Sequence, residues 1–179
     1  MKRIFLLVAI LLLNGCSSKA PIATEVLAGK VVSCTSILHV NPASMKGLIQ
    51  LPCLDGGKGL TFESIRGPVV VNVWGSWCAP CIEEIPHFRA LAAKNKVRIV
   101  GIDVEERNMT SGRKFVLTHG MTWPMLYDPD ARTKGIFGLG VPVTWFIDAN
   151  GKATFKQIGT IHSDQQLFDL VTKNLKMSL

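Results

Sequence analysis

The segment Val69–Trp74 is the part of the sequence that most constrains the fold. It reads Val-Val-Val-Asn-Val-Trp, so it is short, rich in β-branched residues and contains one polar residue, and Gly75 and Ser76 follow it. Such a run is typical of a strand that is buried on both faces of a sheet. From Cys78 onward, apolar residues recur at spacings of three and four, which predicts an α-helix. The sequence therefore predicts a buried strand, a short loop and a helix in direct succession.

Two cysteines stand at the start of this predicted helix, in the sequence Trp77-Cys78-Ala79-Pro80-Cys81. Unpaired N–H groups and the positive end of the helix dipole stabilise an anion there, so the pKa of a thiol can fall from about 8.5 to roughly 3.5–7.5. We therefore expect Cys78 to be the exposed nucleophile. Cys81, one turn further on nearly the same face, is expected to be the buried cysteine that resolves a mixed disulfide. Pro80 is tolerated because amides in the first turn have no intrahelical acceptor.

Two other interpretations of this cysteine pair remain open. The pair could form a static disulfide, or it could provide half of a metal site. A zinc site would need two further Cys or His ligands at matching spacing, and the nearest histidine, His87, stands alone. We therefore favour a redox-active dithiol, and we expect neither a metal ion nor a cofactor.

Three stretches of the sequence carry a resemblance to a known family. They are residues 71–81 (Val-Asn-Val-Trp-Gly-Ser-Trp-Cys-Ala-Pro-Cys), 83–86 (Glu-Glu-Ile-Pro) and 140–148 (Gly-Val-Pro-Val-Thr-Trp-Phe-Ile-Asp). With these motifs the chain resembles the thioredoxin superfamily, and more closely its extracytoplasmic TlpA/ResA/DsbE-like branch, over roughly residues 48–175. The resemblance implies a thioredoxin-like α/β fold: a central mixed β-sheet flanked by helices, with an extra βα insertion and an N-terminal extension.

The resemblance also implies roles outside the cysteine motif. A cis peptide bond would precede Pro142, in a loop that faces the dithiol, and Val141 and Pro142 would bind the substrate. An ordinary trans proline in a turn is the alternative. The extra βα unit would occupy the roughly 37 residues from Val104 to Gly140, and it could shape a groove for the substrate.

Position 72 is Asn, whereas thioredoxins have a buried Asp beneath the active site, so another group must accept the proton. Glu84 is the best candidate, because it lies three residues after Cys81 and matches a glutamate that the ResA-like branch uses near its cysteines. A carboxylate there would relay the Cys81 proton and raise the thiol pKa through its negative charge. The alternative is an exposed charge on the helix face, like its neighbour Glu83.

The remaining apolar patterns predict further strands and helices. We expect strands at residues 97–104, at 122–127 with Pro124 interrupting it, and at 143–147 and 153–158, the last two joined in a hairpin. We expect helices at residues 111–119, 130–137 and 163–175, the last of them capped by Ser163.

The N-terminus predicts export from the cytoplasm. A charged start, Met1-Lys2-Arg3, precedes ten apolar residues, 4–13, which are too few for an ordinary transmembrane helix of about 20 residues. The sequence Leu-Asn-Gly-Cys that ends at Cys16 resembles a bacterial lipobox, in which the cysteine is acylated. An ordinary signal peptide or a short uncleaved anchor is the alternative.

These features divide the chain into three parts. We expect a signal peptide at residues 1–15, a lipidated N-terminus with a tether and extension at 16–47, and a thioredoxin-like domain at 48–179. A lipid on Cys16 would attach the protein to the outer face of the bacterial cell membrane.

Two of the five cysteines, Cys34 and Cys53, are left without a role by these assignments. In an oxidising compartment we expect them to form a structural disulfide, and closing a loop of about 20 residues would contribute on the order of 3 kcal/mol of stability. A metal site that also uses His39, or a second dithiol that relays electrons, remains an alternative.

The charge of the chain bears on its partners. The formal net charge is +7, but Lys and Arg are scattered without a run, so we expect no nucleic-acid partner.

The resemblance implies a membrane-tethered thiol-disulfide oxidoreductase that acts as a reductant, for instance on apocytochrome c thiols during cytochrome c maturation. Its partners would be extracytoplasmic proteins with thiols or disulfides and a membrane electron donor or acceptor. An oxidant of secreted proteins and a non-enzymatic metal carrier are the alternatives.

Overall fold

The computed structural model describes residue 27 and residues 29–44, 46–138 and 140–179. The predicted signal peptide, Cys16 and most of the predicted tether lie outside the described residues. Within the described part of the chain, no helix is both long enough and apolar enough to cross a membrane.

The described residues form seven strands, four α-helices and two 3₁₀ turns. The strands are β1 (Gln50–Leu51), β2 (Leu60–Thr61), β3 (Val69–Trp74), β4 (Arg98–Val104), β5 (Met125–Asp128), β6 (Val143–Ile147) and β7 (Ala153–Ile158). The helices are α1 (Ala79–Lys94), α2 (Met109–Thr118), α3 (Lys134–Phe137) and α4 (Asp164–Leu175), and the 3₁₀ turns span Cys34–Ser36 and Phe62–Ser64.

Five of the strands form a mixed central sheet in the order β5-β4-β3-β6-β7. The ladders β3–β4 and β4–β5 are parallel, whereas β3–β6 and β6–β7 are antiparallel. All six residues of β3 are buried, because this strand lies in the centre of the sheet and is covered on both faces. The mixed sheet with flanking helices confirms the predicted fold class.

The side chains of β3 alternate between two hydrophobic cores. Val70 and Trp74 belong to the core beneath α1, α2 and α4, which also contains Cys78 and Cys81. Val71 and Val73 face the second core, which the N-terminal segment and α3 cover. The two-residue period of a strand therefore places Asn72 on the same face of the sheet as the cysteines.

The bounds of the elements around the dithiol agree closely with the sequence patterns. β3, β6 and β7 have the predicted bounds, and β4 begins one residue later, at Arg98. Ser163 caps α4, since its side chain accepts a hydrogen bond from the N–H group of Gln166. The hairpin β1–β2 was not predicted, because strands of two residues carry no periodicity.

The prediction of a helix over residues 130–137 is wrong in its first half, because α3 spans only Lys134–Phe137. The Asp128 carboxylate accepts hydrogen bonds from the N–H groups of Arg132 and Thr133, both at 2.9 Å. This side chain folds the preceding residues into a turn, which competes with helix formation. Similarly, β5 begins only after Pro124, since proline has no N–H group for the ladder.

The end of the N-terminal extension pairs with the domain. The N–H group of Val40 donates to the Ser64 carbonyl at 3.0 Å, and the N–H group of Arg66 donates to the Leu38 carbonyl at 2.8 Å. These antiparallel contacts attach residues 38–40 to the segment that leads into β3.

Candidate active site

The two cysteines of the motif form a disulfide at the start of α1. The Cys78–Cys81 S–S distance is 2.03 Å, and Cys78 is the N-cap residue of the helix. The N–H group of Cys81 donates to the Cys78 Sγ at 3.2 Å. The helix N-terminus therefore offers a donor to this sulfur, which is the interaction that would stabilise a thiolate on Cys78 after reduction.

The structure corrects the expected difference in exposure between the two cysteines. Cys78 is 4% exposed and Cys81 is 1% exposed, so both residues are buried while the disulfide is intact. The neighbouring residues Trp77, Ala79 and Pro80 are exposed instead. Both cysteines belong to the core beneath α1, α2 and α4, and the spacing of the motif alone does not reveal this burial.

Trp77 ties the active-site loop to the neighbouring strand. Its indole Nε1 donates a hydrogen bond to the Val104 carbonyl at 3.3 Å, while 54% of the residue remains exposed. The polar edge of the ring is therefore fixed at the end of β4, and much of its apolar surface faces solvent beside the disulfide.

The Val141–Pro142 peptide bond is cis, as the resemblance implies. Pro142 is buried, and its carbonyl accepts a hydrogen bond from the N–H group of Gly159 at 3.0 Å. Val141 packs against the core that contains both cysteines. The loop therefore lies at the same end of the sheet as the dithiol.

Residues of the insertion meet this loop in a small apolar cavity. The cavity is lined by residues from β3, β4, α3 and the loop before β6, among them Val73, Val104, Phe137 and Val141. An ion pair between Glu105 and Lys134, with 3.8 Å between Oε1 and Nζ, bridges two elements that contribute to this lining.

Glu84 is buried in the core and is not on the solvated face of α1. It is 1% exposed, whereas its neighbour Glu83 is exposed. Its Oε1 accepts a hydrogen bond from Asn72 Nδ2 at 2.7 Å, and its Oε2 accepts one from the N–H group of Ile161 at 3.2 Å. Burial raises the pKa of Glu84 to about 7, and the hydrogen bonds from Ile161 and Asn72 limit this increase.

Further buried acids were missed from the sequence, among them Asp103 and Glu106. Asp103 is fully buried in β4, beside Trp74 in the parallel ladder. Within the described residues, neither oxygen of Asp103 has a hydrogen-bond partner, and the same holds for Oε2 of Glu106. Burial and then the nearby Glu106 carboxylate raise the pKa of Asp103 to about 8. An acidic residue at a core position of a buried strand was the signal that could have identified it.

Cys34 and Cys53 form a second disulfide, with an S–S distance of 1.92 Å. Both are buried in the core on the opposite face of the sheet from the active-site disulfide. The residue after Cys53, Leu54, donates its N–H group to the Met125 carbonyl at 2.8 Å. The disulfide thus links the extension to the edge of the sheet at β5, and it does not lie at the dithiol.

No metal site is visible in the part of the chain that the structure describes. There, no group of three or more His, Cys, Asp and Glu residues is arranged to hold a metal ion. The Nδ1 atom of His39 lies 2.8 Å from the Ile37 carbonyl oxygen, so this ring nitrogen is engaged by the backbone.

Comparison with known proteins identifies relatives of this site and fold. The AhpC/TSA family profile matches residues 47–156, which is more than half of the chain. The chain is 32% identical over 114 residues to the thiol-disulfide oxidoreductase ResA of Bacillus thuringiensis, covering 61% of this chain and 65% of that protein. The chain therefore spans slightly less than two thirds of the length of this ResA relative.

A second relative and a solved structure agree with this result. The chain is 33% identical over 134 residues to the thiol:disulfide interchange protein DsbE of Pseudomonas fluorescens biotype C, covering 69% of this chain and 75% of that protein. The structure of MTB dsbF in mixed oxidised and reduced forms superimposes with a TM-score of 0.61 and 26% identity, covering 74% of this chain and 98% of that one.

Proposed function

The chain belongs to the AhpC/TSA family, and from this premise and the geometry of the dithiol we propose that it is a thiol-disulfide oxidoreductase. The single observation that carries the proposal is the Cys78–Cys81 disulfide at the N-terminus of α1, with a backbone N–H group directed at the Cys78 sulfur. The names of the ResA and DsbE relatives support the same activity.

The proposed reaction is a two-step exchange of disulfides. In the reduced protein, the Cys78 thiolate attacks one sulfur of a client disulfide, forms a mixed disulfide and releases the other client sulfur as a thiolate. The Cys81 thiolate then attacks the Cys78 sulfur, which restores the Cys78–Cys81 disulfide and releases the second client thiolate. Two electrons pass to the client, and the dithiol is oxidised.

Glu84 is proposed to accept the proton of the Cys81 thiol and to return it. It lies on α1, three residues after Cys81 and on the core side of the helix. A pKa of about 7 allows its carboxylate to accept a proton near neutral pH and to return it. Asn72 cannot accept that proton, but it holds the carboxylate through its Nδ2 donor.

We propose that the physiological direction is reduction of client proteins. The ionised form of Glu84 opposes a thiolate on the same helix, and destabilising the thiolate makes the dithiol a stronger reductant. The clients would be extracytoplasmic proteins, apocytochrome c thiols among them, and a membrane thiol-disulfide protein would supply electrons. Oxidation of secreted proteins is the alternative, and a measured reduction potential above that of the client disulfides would favour it.

The protein is also proposed to be held at the outer face of the cell membrane by a lipid on Cys16. The sequence that ends at this cysteine supports the proposal.

Val141 and Pro142 are proposed to bind the client protein beside the dithiol.

The test is the capture of clients by the full-length chain in cells. Cys81→Ser should accumulate mixed disulfides with client proteins, because the second step is blocked, whereas Cys78→Ser should not. The captured complexes should fractionate with the membrane, and adding Cys16→Ser should move them to the soluble fraction. Capture by Cys78→Ser alone would reverse the assignment of the two cysteines, and capture by neither variant would refute the proposed exchange.

A further inference from the structure

The segment that leads into α4 contacts α1 at two points. The N–H group of Ile161 donates to the Glu84 carboxylate at 3.2 Å, and Nδ1 of His87 lies 2.6 Å from Oδ1 of Asp164. On α1 the two contacting residues, Glu84 and His87, are three positions apart, so the buried contact and the surface contact are about one helical turn from each other along this helix. Each contact therefore restrains the other.

The outer contact is a charge-assisted hydrogen bond. An ionised carboxylate only accepts hydrogen bonds, so Nδ1 of His87 carries the proton that it shares with Asp164. The His87 side chain is 22% exposed and that of Asp164 is 51% exposed, so the pair is partly shielded from water. Asp164 also lies in the first turn of α4, where the helix dipole favours a negative charge.

The start of α4 is stiff enough to couple the two contacts. Ser163 Oγ accepts a hydrogen bond from the N–H group of Gln166 at 3.1 Å, and the Gln166 side chain accepts one from the N–H group of His162 at 2.8 Å. These reciprocal bonds fix the backbone between Ile161 and Asp164. A displacement of Asp164 would therefore move the Ile161 N–H group as well.

We propose that the His87–Asp164 hydrogen bond positions Glu84, by holding the start of α4 against α1 and so keeping the Ile161 N–H group on the Glu84 carboxylate. The inference rests on the proposed function, because it assigns to His87 and Asp164 control over the Glu84 carboxylate, which is proposed to accept the Cys81 proton. His87 and Asp164 are positioning residues, because they act on the dithiol through Glu84.

Positioning and direct electrostatics predict opposite effects of removing Asp164. The groups that face this region are His87 on α1, Asp164 on α4 and the uncharged Asn72 on β3. Removing the negative charge of Asp164 would by itself lower the pKa of Glu84. Losing the Ile161 hydrogen bond would instead raise it, because that bond favours the ionised carboxylate. The sign of the shift therefore distinguishes the two effects.

The experiment is a pH titration of the Glu84 carboxyl carbon by NMR in the oxidised protein. Asp164→Ala should raise the pKa by about half a unit to one unit, which increases the protonated fraction at pH 7 from about one half to as much as about nine tenths. Asp164→Asn keeps an acceptor for the His87 proton and should stay near the wild-type value. Asp169→Ala is the matched control, because this exposed acid lies on the same helix and, among the described residues, its hydrogen bond is to Gln165 of that helix.

Two further measurements test whether the His87–Asp164 contact holds the Ile161 N–H group in place. Hydrogen exchange of the Ile161 amide should accelerate at least about tenfold in Asp164→Ala and in His87→Ala, but not in the control. The reduction potential should become more oxidising in Asp164→Ala, and this change should vanish in a Glu84→Gln background. An unchanged or lowered Glu84 pKa with an unchanged Ile161 amide would overturn the proposal. Because the titration and the exchange use the oxidised protein, they do not depend on whether it exchanges disulfides with clients.

Discussion

Replacing Asp103 by Asn should stabilise the protein at neutral pH and have little effect near pH 4. Asp103 is fully buried, and neither of its oxygens has a hydrogen-bond partner within the described residues. Burial and the Glu106 carboxylate raise its pKa from 3.8 to about 8. Asn has nearly the same shape as a protonated Asp, so the substitution should leave the packing of β4 against α2 intact.

The magnitude follows from the linkage between proton binding and folding. Between about pH 4 and pH 8 the folded protein keeps a proton on Asp103 that the unfolded chain releases, so stability falls as the pH rises through this window. At 1.36 kcal/mol for each pKa unit, the loss at pH 7 is on the order of 4 kcal/mol. Asn cannot ionise and does not suffer this loss, and its buried amide costs about as much as the protonated carboxyl of Asp103, which also lacks partners. We therefore expect a net gain on the order of 4 kcal/mol at pH 7.

The assay is urea denaturation of the wild type and of Asp103→Asn at several pH values from 4 to 8. The difference in unfolding free energy should grow steadily with pH. Asp169→Asn, a change of the same type at an exposed position, should show no such growth. A difference that does not change with pH, or a less stable variant at pH 7, would refute the reasoning, because it would mean that Asp103 is ionised and stabilised in the folded protein.

Two other substitutions have expected outcomes. Glu84→Gln should lower the pKa of the active-site thiols and make the dithiol more oxidising, because it removes a negative charge that opposes the thiolate, and it should slow resolution of mixed disulfides. The assays are thiolate absorbance against pH and a redox titration, and an unchanged thiol pKa and reduction potential would contradict the proposed role. Replacing both Cys34 and Cys53 by Ser should lower the free energy of unfolding by about 3 kcal/mol, while most of the activity of each folded molecule remains. Denaturant unfolding and a disulfide-exchange assay would check this, and loss of activity in the folded variant would assign this disulfide a redox role.

The elements that could be predicted from the sequence are those whose pattern is local. Val69–Trp74 is buried on both faces and apolar except for Asn72, and the apolar residues that recur after it at spacings of three and four predict α1. The order of the strands depends on contacts between distant segments, so periodicity does not predict it, and the resemblance implied only a central mixed sheet. The helix predicted at residues 130–137 failed because one buried side chain, Asp128, redirects the backbone.

The environment of Glu84 could not be predicted from its own neighbourhood in the sequence. One of its donors is Asn72, twelve positions earlier, and the other is the N–H group of Ile161, 77 positions later. The sequence places Glu83 and Glu84 side by side, and only the assembled fold buries one and exposes the other. The choice of Glu84 rested on its distance from Cys81 along the helix and on the resemblance.

Glu84 on α1 and Asp103 on β4 are two of the buried acids in the described residues, and their surroundings decide which of them suits the proposed role at the dithiol. Glu84 has two hydrogen-bond donors on its carboxylate, so both of its protonation states are accessible near neutral pH. Asp103 has no such donors in the described residues and keeps its proton up to about pH 8. Glu84 also shares α1 with Cys81, whereas Asp103 faces α2, where its carboxylate lies against Gly112. In the proposed exchange, a proton released by Cys81 at neutral pH would therefore pass to Glu84 and not to Asp103, which is already protonated.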